Sequence, residues 1–371
     1  MNLRCRSGYN RSMSVPTPLP LLAITALCAL ALAGLLLATG HALPQLAAHL
    51  AFALGVMPLI LAAISYFVPV LTRSGGAGSA AWWPPLLAMA GGILAVFSFA
   101  GSFAARALEV AAMLAGLAAL GLGGWTLGRA RRMLGPRHRG LDWYLAALGF
   151  LLLALLAVLL MPLFPAQRNA LRLFHLHANL LGFVGLTALG TLQVLLPTCF
   201  GQPDPGALLR LRRDLKWAAS GALLIAVGSA LSLPGHGSMI GSALALLGTA
   251  TFIAVILRML HAWRSLFGQA LAQVHGAGPS LASAALGLLG LLIFGIAHNF
   301  GWLPARPAVT GFVIAFLLPM VSGAAGQLLP TWLRPGAQTP WHQSLRTRLC
   351  RWGGTRSLTL LLLGLLITAL A

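Results

Sequence analysis

Apolar runs of twenty or so residues recur from one end of the chain to the other, separated by short segments rich in Gly, Pro and Arg. A helix rises ~1.5 Å per residue and the hydrocarbon core of a bilayer is ~30 Å thick, so runs of this length are long enough to cross it. Lipid offers no hydrogen-bond partner, and a helix satisfies its own backbone. The pattern predicts eleven spans, at 19–40, 46–71, 84–104, 107–128, 141–163, 171–197, 215–233, 238–262, 280–300, 308–331 and 357–371. The last is short for a full crossing, which suits a tilted or partly interfacial helix or a set of twelve with one missing. The expected fold is therefore an all-α, polytopic transmembrane bundle of eleven or twelve spans. Residues 1–18 form a basic N-terminal segment, and 19–371 a single transmembrane domain.

Composition agrees. Of the 371 residues 59% are hydrophobic and 8% charged, against ~25% charged in a soluble globular domain, so that class is excluded. The net charge of +20 comes from 24 Lys+Arg against four acids, Glu109, Asp142, Asp204 and Asp214. On a soluble protein such an excess points to nucleic acid. Here the charges sit in short loops, so nucleic acid is not expected as a partner, whereas the lipid bilayer is.

The loops also give an orientation. The N-terminus and the loops after spans 2, 4, 6, 8 and 10 hold 20 basic residues, and the opposite side holds four, Arg106, Arg168, Arg172 and Arg306. Basic residues are retained on the cytoplasmic side. The expectation is a multi-pass protein of the bacterial inner membrane with a cytoplasmic N-terminus. Leu19–Thr39 is longer than the core of a signal peptide and reads as the first span. Cys5, Cys28, Cys199 and Cys350 form no CxxC and read as unpaired thiols.

Spans 2, 6 and 10 repeat one another. They read HLAFALGVMPLILAAISYFVPVLT, HANLLGFVGLTALGTLQVLLPT and TGFVIAFLLPMVSGAAGQLLPT. His49, His177 and Thr310 each stand 20 residues before a proline, Pro69, Pro197 and Pro330, and these prolines are 128 and 133 residues apart. A repeat of four spans is predicted, with spans 2, 6 and 10 around a common centre.

Six of the ten histidines, His41, His49, His175, His177, His236 and His298, fall at the outer ends of spans. Neutral imidazole is a ligand for haem iron, copper and zinc. A histidine at a helix end also suits the lipid–water interface. In a regular helix His175 and His177 point about 200° apart, so both cannot serve one centre. His175 shares a face with Asn179, Gly182, Gly190 and Gln193, which suits close packing and burial. His177 shares one with Leu181, Val184, Ala188 and Thr191. Helix polarity favours His175 and repeat equivalence favours His177. No phosphate loop, no HExxH and no paired carboxylates occur.

The stretch HLHANLLGFVGLTALGTLQVLLPTCFG resembles the HxHxxxxGF…P helix of the NnrS family, bacterial membrane proteins linked to the nitric-oxide response. It is also similar to helices of haem–copper-oxidase-like proteins. The resemblance implies a pseudo-threefold bundle of about twelve spans, with haem or copper ligands near the outer side on the second, sixth and tenth helices. Carried onto this chain, it gives His49, His175, His177 and Asn179 as cofactor-binding candidates and His49, His177 and His298 as metal candidates. Span 10 departs, since Thr310 stands where a histidine is expected. No adjacent His-His pair and no His-x-x-x-Tyr occur either, so an oxygen-reducing centre of the known type is not assembled, and the chain reads as a non-enzyme. The implied cofactor is one haem b or one copper, in nitric-oxide, metal or respiratory stress physiology. A small-solute permease, built on Gly- and Pro-broken helices, and a cofactor-free assembly or scaffold protein are the other classes.

Overall fold

In the computed structural model residues 18–39, 43–101, 106–133, 135–232, 238–304 and 308–370 are described. They form helices α1 (Pro18–Thr39), α2 (Pro44–Leu71), α3 (Trp83–Phe99), α4 (Ala107–Arg131), α5 (Gly140–Leu160) and α6 (Pro165–Phe200). The second half continues with α7 (Ala207–Leu231), α8 (Ser238–Phe267), α9 (Ala277–Asn299), α10 (Ala308–Leu333), α11 (Pro340–Leu349) and α12 (Gly353–Leu370). Among the described residues eleven stretches are long and apolar enough to cross a membrane, and there is no strand. The all-α polytopic bundle is as the hydrophobic pattern predicts.

Two boundaries differ from the sequence reading. The final stretch runs from Pro340 to Leu370 but is bent, with α11 and α12 joined through Trp352 at a φ of 57°. α11 opens on a capping box in which the His342 ring accepts from the Thr339 backbone N–H, so this histidine has a structural task. The second difference is Asp214, which the hydropathy pattern leaves in a loop. α7 begins eight residues earlier than the predicted span, at Ala207, and carries Asp214 inside the helix.

α6 is the hub. Of the eleven candidate spans it is the most enclosed, with 83% of its apolar window buried. Its Gly182 and Gly190 lie where any Cβ would strike Phe150 and Trp143 of α5, so these glycines permit close approach of the two helices. Trp143 in turn donates its indole N–H to the Leu211 carbonyl of α7 at 2.9 Å. α7 and α8 pack through a ladder of small residues, with Gly221 against Gly248 and Gly228 against Gly241 and Ala245.

The repeat is visible in the backbone. α2, α6 and α10 each contain a π-helical stretch, Leu50–Val56, Ala178–Gly185 and Phe312–Leu317. Each lies between the His49, His177 or Thr310 position and the conserved-spacing proline. π-helix is rare and concentrates at functional sites. Three occurrences at corresponding places in helices four spans apart make the repeat structural as well as textual. α2, α6 and α10 also meet, as predicted, around one central cavity walled by residues such as Ile64, Ala188 and Val321.

Candidate functional site

His49 is the last residue before the π stretch of α2, and His177 the last before that of α6. The two rings make the same hydrogen bond. His49 Nδ1 meets the Gln45 carbonyl at 2.7 Å and His177 Nδ1 meets the Leu173 carbonyl at 2.9 Å, four residues back in each case. His175 Nδ1 lies 2.9 Å from the Ala154 carbonyl of α5, and His298 Nδ1 lies 2.8 Å from the Leu303 carbonyl. A carbonyl oxygen can only accept, so in each pair Nδ1 carries the proton. A neutral ring then presents Nε2 with a free lone pair. Nδ1–H held by a backbone carbonyl is the arrangement that orients metal-bound imidazoles.

The four rings form two neighbouring pairs. His49 is close enough to His175, and His177 to His298, for charge on one ring to act on the other. His175 and His177 thus look to different partners, in keeping with their angular separation. His49 is also covered by Phe99 of α3, with ring centroids 4.3 Å apart. Asn179 turns back on its own helix, donating to the His175 carbonyl at 3.0 Å. Thr310, in the third repeat, is buried. His41 and His236 lie outside the described residues.

His49, His177 and His298 do not gather into one cluster. Among the described residues no three His, Cys, Asp or Glu side chains meet as a metal site built from protein ligands alone would require. The donor set does fit a group needing one or two imidazoles, which is the demand of a haem iron.

Sequence reasoning named the histidines but missed how the two faces of α6 divide. Both faces are buried. The glycine face packs on α5, while Val184, Ala188 and Thr191 of the His177 face line the central cavity. The sequence marks the π stretches only through the repeat spacing, since no residue type encodes a wide turn. No family model, curated protein or solved structure matches the chain.

Proposed function

We propose that this integral membrane protein resides in the bacterial inner membrane with its N-terminus in the cytoplasm and binds one haem b or one copper near the periplasmic side. Its physiological setting is then the response to nitric oxide, metal or respiratory stress. One observation carries the reading: imidazoles on α2, α6 and α9 are held through Nδ1 by backbone carbonyls, leaving Nε2 free to coordinate. His49 and His175 are one candidate pair of ligands, and His177 and His298 the other. A bound haem or copper would supply one-electron chemistry or coordination of a diatomic gas.

Protein purified from cells supplied with haem and copper is expected to show either a Soret band or stoichiometric copper. His49→Ala or His177→Ala should strip most of that signal, while His261→Ala, an exposed change far from these pairs in sequence, leaves it. A colourless, metal-free preparation would sink the proposal and favour a permease or a cofactor-free assembly protein.

The orientation has its own test. Reporter fusions after Gly135 and Gln338 should report cytoplasm, and a fusion after Phe164 should report periplasm. The reverse pattern would place the histidines on the cytoplasmic side.

A further inference from the structure

We infer that the central cavity between α2, α6 and α10 is a binding site for a small, uncharged, membrane-soluble molecule with an apolar body and a carbonyl-type hydrogen-bond acceptor. The site is separate from the histidine pairs and does not depend on their occupancy.

The cavity measures about 90 Å³ and no charged side chain lines it. Most of its wall is aliphatic, which excludes ionic ligands, because burying an unpaired charge there is prohibitive. Apolar cavities of this order, ~150 Å³ in a studied case from another protein, stay dry and take up small hydrophobic molecules.

One end of this cavity is different. Trp332, near the end of α10, lines it with only 4% of its surface exposed, and its indole N–H has no hydrogen-bond partner. The Trp332 ring is fixed edge-on against Tyr66, at a centroid distance of 5.8 Å. Tyr144 and Thr191 also line the cavity, and their hydroxyl oxygens are 3.2 Å apart. Two hydroxyls hold two protons and the bond between them uses one, so a second donor is left.

The three residues stand on three helices at the same end of the bundle, near the end of α10, the start of α5 and the last third of α6. Buried donors are nearly always paired. An indole N–H and a spare hydroxyl proton beside an apolar cavity therefore specify what is missing, an acceptor attached to an apolar body. A carbonyl oxygen, with two lone pairs, matches both donors at once. Pockets of this kind, apolar with a few convergent polar groups, are the usual form of small-molecule sites.

The test uses para-fluoroacetophenone as the probe and para-fluorotoluene as its counterpart without the carbonyl, followed by fluorine NMR on the full-length protein in detergent. The ketone should bind saturably and more tightly than the toluene. Ala324→Phe, which fills the cavity from the α10 side, should abolish saturable binding of both. Trp332→Phe keeps the ring and removes the N–H, and should weaken the ketone by roughly threefold to tenfold, the weight of one net hydrogen bond, while leaving the toluene unchanged. Equal affinity for the two probes, or a Trp332→Phe protein that binds the ketone as before, would overturn the inference by showing that the polar end recognises nothing. No saturable binding of either probe to the folded parent protein would overturn it as well.

Discussion

Gly287→Ala is expected to lower the thermal midpoint of the detergent-solubilised protein sharply, with a loss toward the upper end of the ~1–3 kcal/mol range for overpacking, or beyond it. A Cβ at position 287 would overlap the Ala315 carbonyl oxygen and sit 2.7 Å from its carbon. The obstacle is backbone, so no side-chain rotation relieves it. Ala315 lies inside the π stretch of α10 and is pinned from the other side as well. A Cβ at Gly364 of α12 would sit 2.6 Å from the Ala315 nitrogen.

The first repeat is built alike. A Cβ at Gly92 of α3 would sit 2.7 Å from the carbonyl carbon of Ala53, in the π stretch of α2. A π turn bulges the backbone outward, and in both repeats a glycine on the neighbouring helix receives the bulge. Gly92→Ala should therefore behave like Gly287→Ala. Gly149→Ala is the control: nothing lies within 4 Å of its Cβ position, and alanine is the better helix former by ~1 kcal/mol. Thermal scans that ranked Gly287→Ala with Gly149→Ala would show that the close packing at Ala315 does not hold in the protein.

These contacts mark the limit of what the residues alone disclose. Span positions were legible because hydrocarbon thickness imposes a length on every crossing, and the repeat because His49, His177 and Thr310 keep one distance to a proline. Both survive in the structure. The same spacing also predicted that α2, α6 and α10 share a centre. The π stretches were not legible, because Leu50–Val56 and Phe312–Leu317 have the composition of any apolar helix. Their wide turns depend on glycines some 30–40 residues away in the chain, Gly92 and Gly287. Helical-wheel reasoning at 3.6 residues per turn fails across such turns. It therefore separated a buried from an unburied face of α6 where both are buried. The pairing of His49 with His175 and of His177 with His298 is likewise tertiary, set by which helices α6 touches. Trp332 and Tyr144 looked like ordinary interfacial aromatics, and only the cavity gives their polar atoms a direction.

Asp214 is the other residue misplaced by hydropathy, and it leads to the second large effect. Its side chain is 1% exposed and lies between two arginines, Arg213 at 2.8 Å and Arg258 of α8 at 2.9 Å. The two arginines are 52% and 35% exposed, so the three groups are not equivalent. If Asp214 is removed, either guanidinium can swing its head to water along its alkyl stem. If Arg258 is removed, the carboxylate stays buried with one partner fewer, and an undercompensated buried charge is the costly outcome. The exposure of the arginines screens the pair, so the ~3–5 kcal/mol seen for breaking a fully buried pair is an upper bound here. Arg258→Met is expected to destabilise by ~2 kcal/mol, and Asp214→Asn by less.

The sign of the combination is the discriminating result. Once Arg258 is methionine, removing the charge at position 214 relieves the stranded carboxylate, so Asp214→Asn combined with Arg258→Met should be more stable than Arg258→Met alone. Unfolding midpoints in mixed micelles, run as a double-mutant cycle, measure this directly. Additive losses would mean that Asp214 and Arg258 are not coupled, and that the α7–α8 junction rests on its glycine ladder, Gly221, Gly228, Gly241 and Gly248, without help from the ion pair.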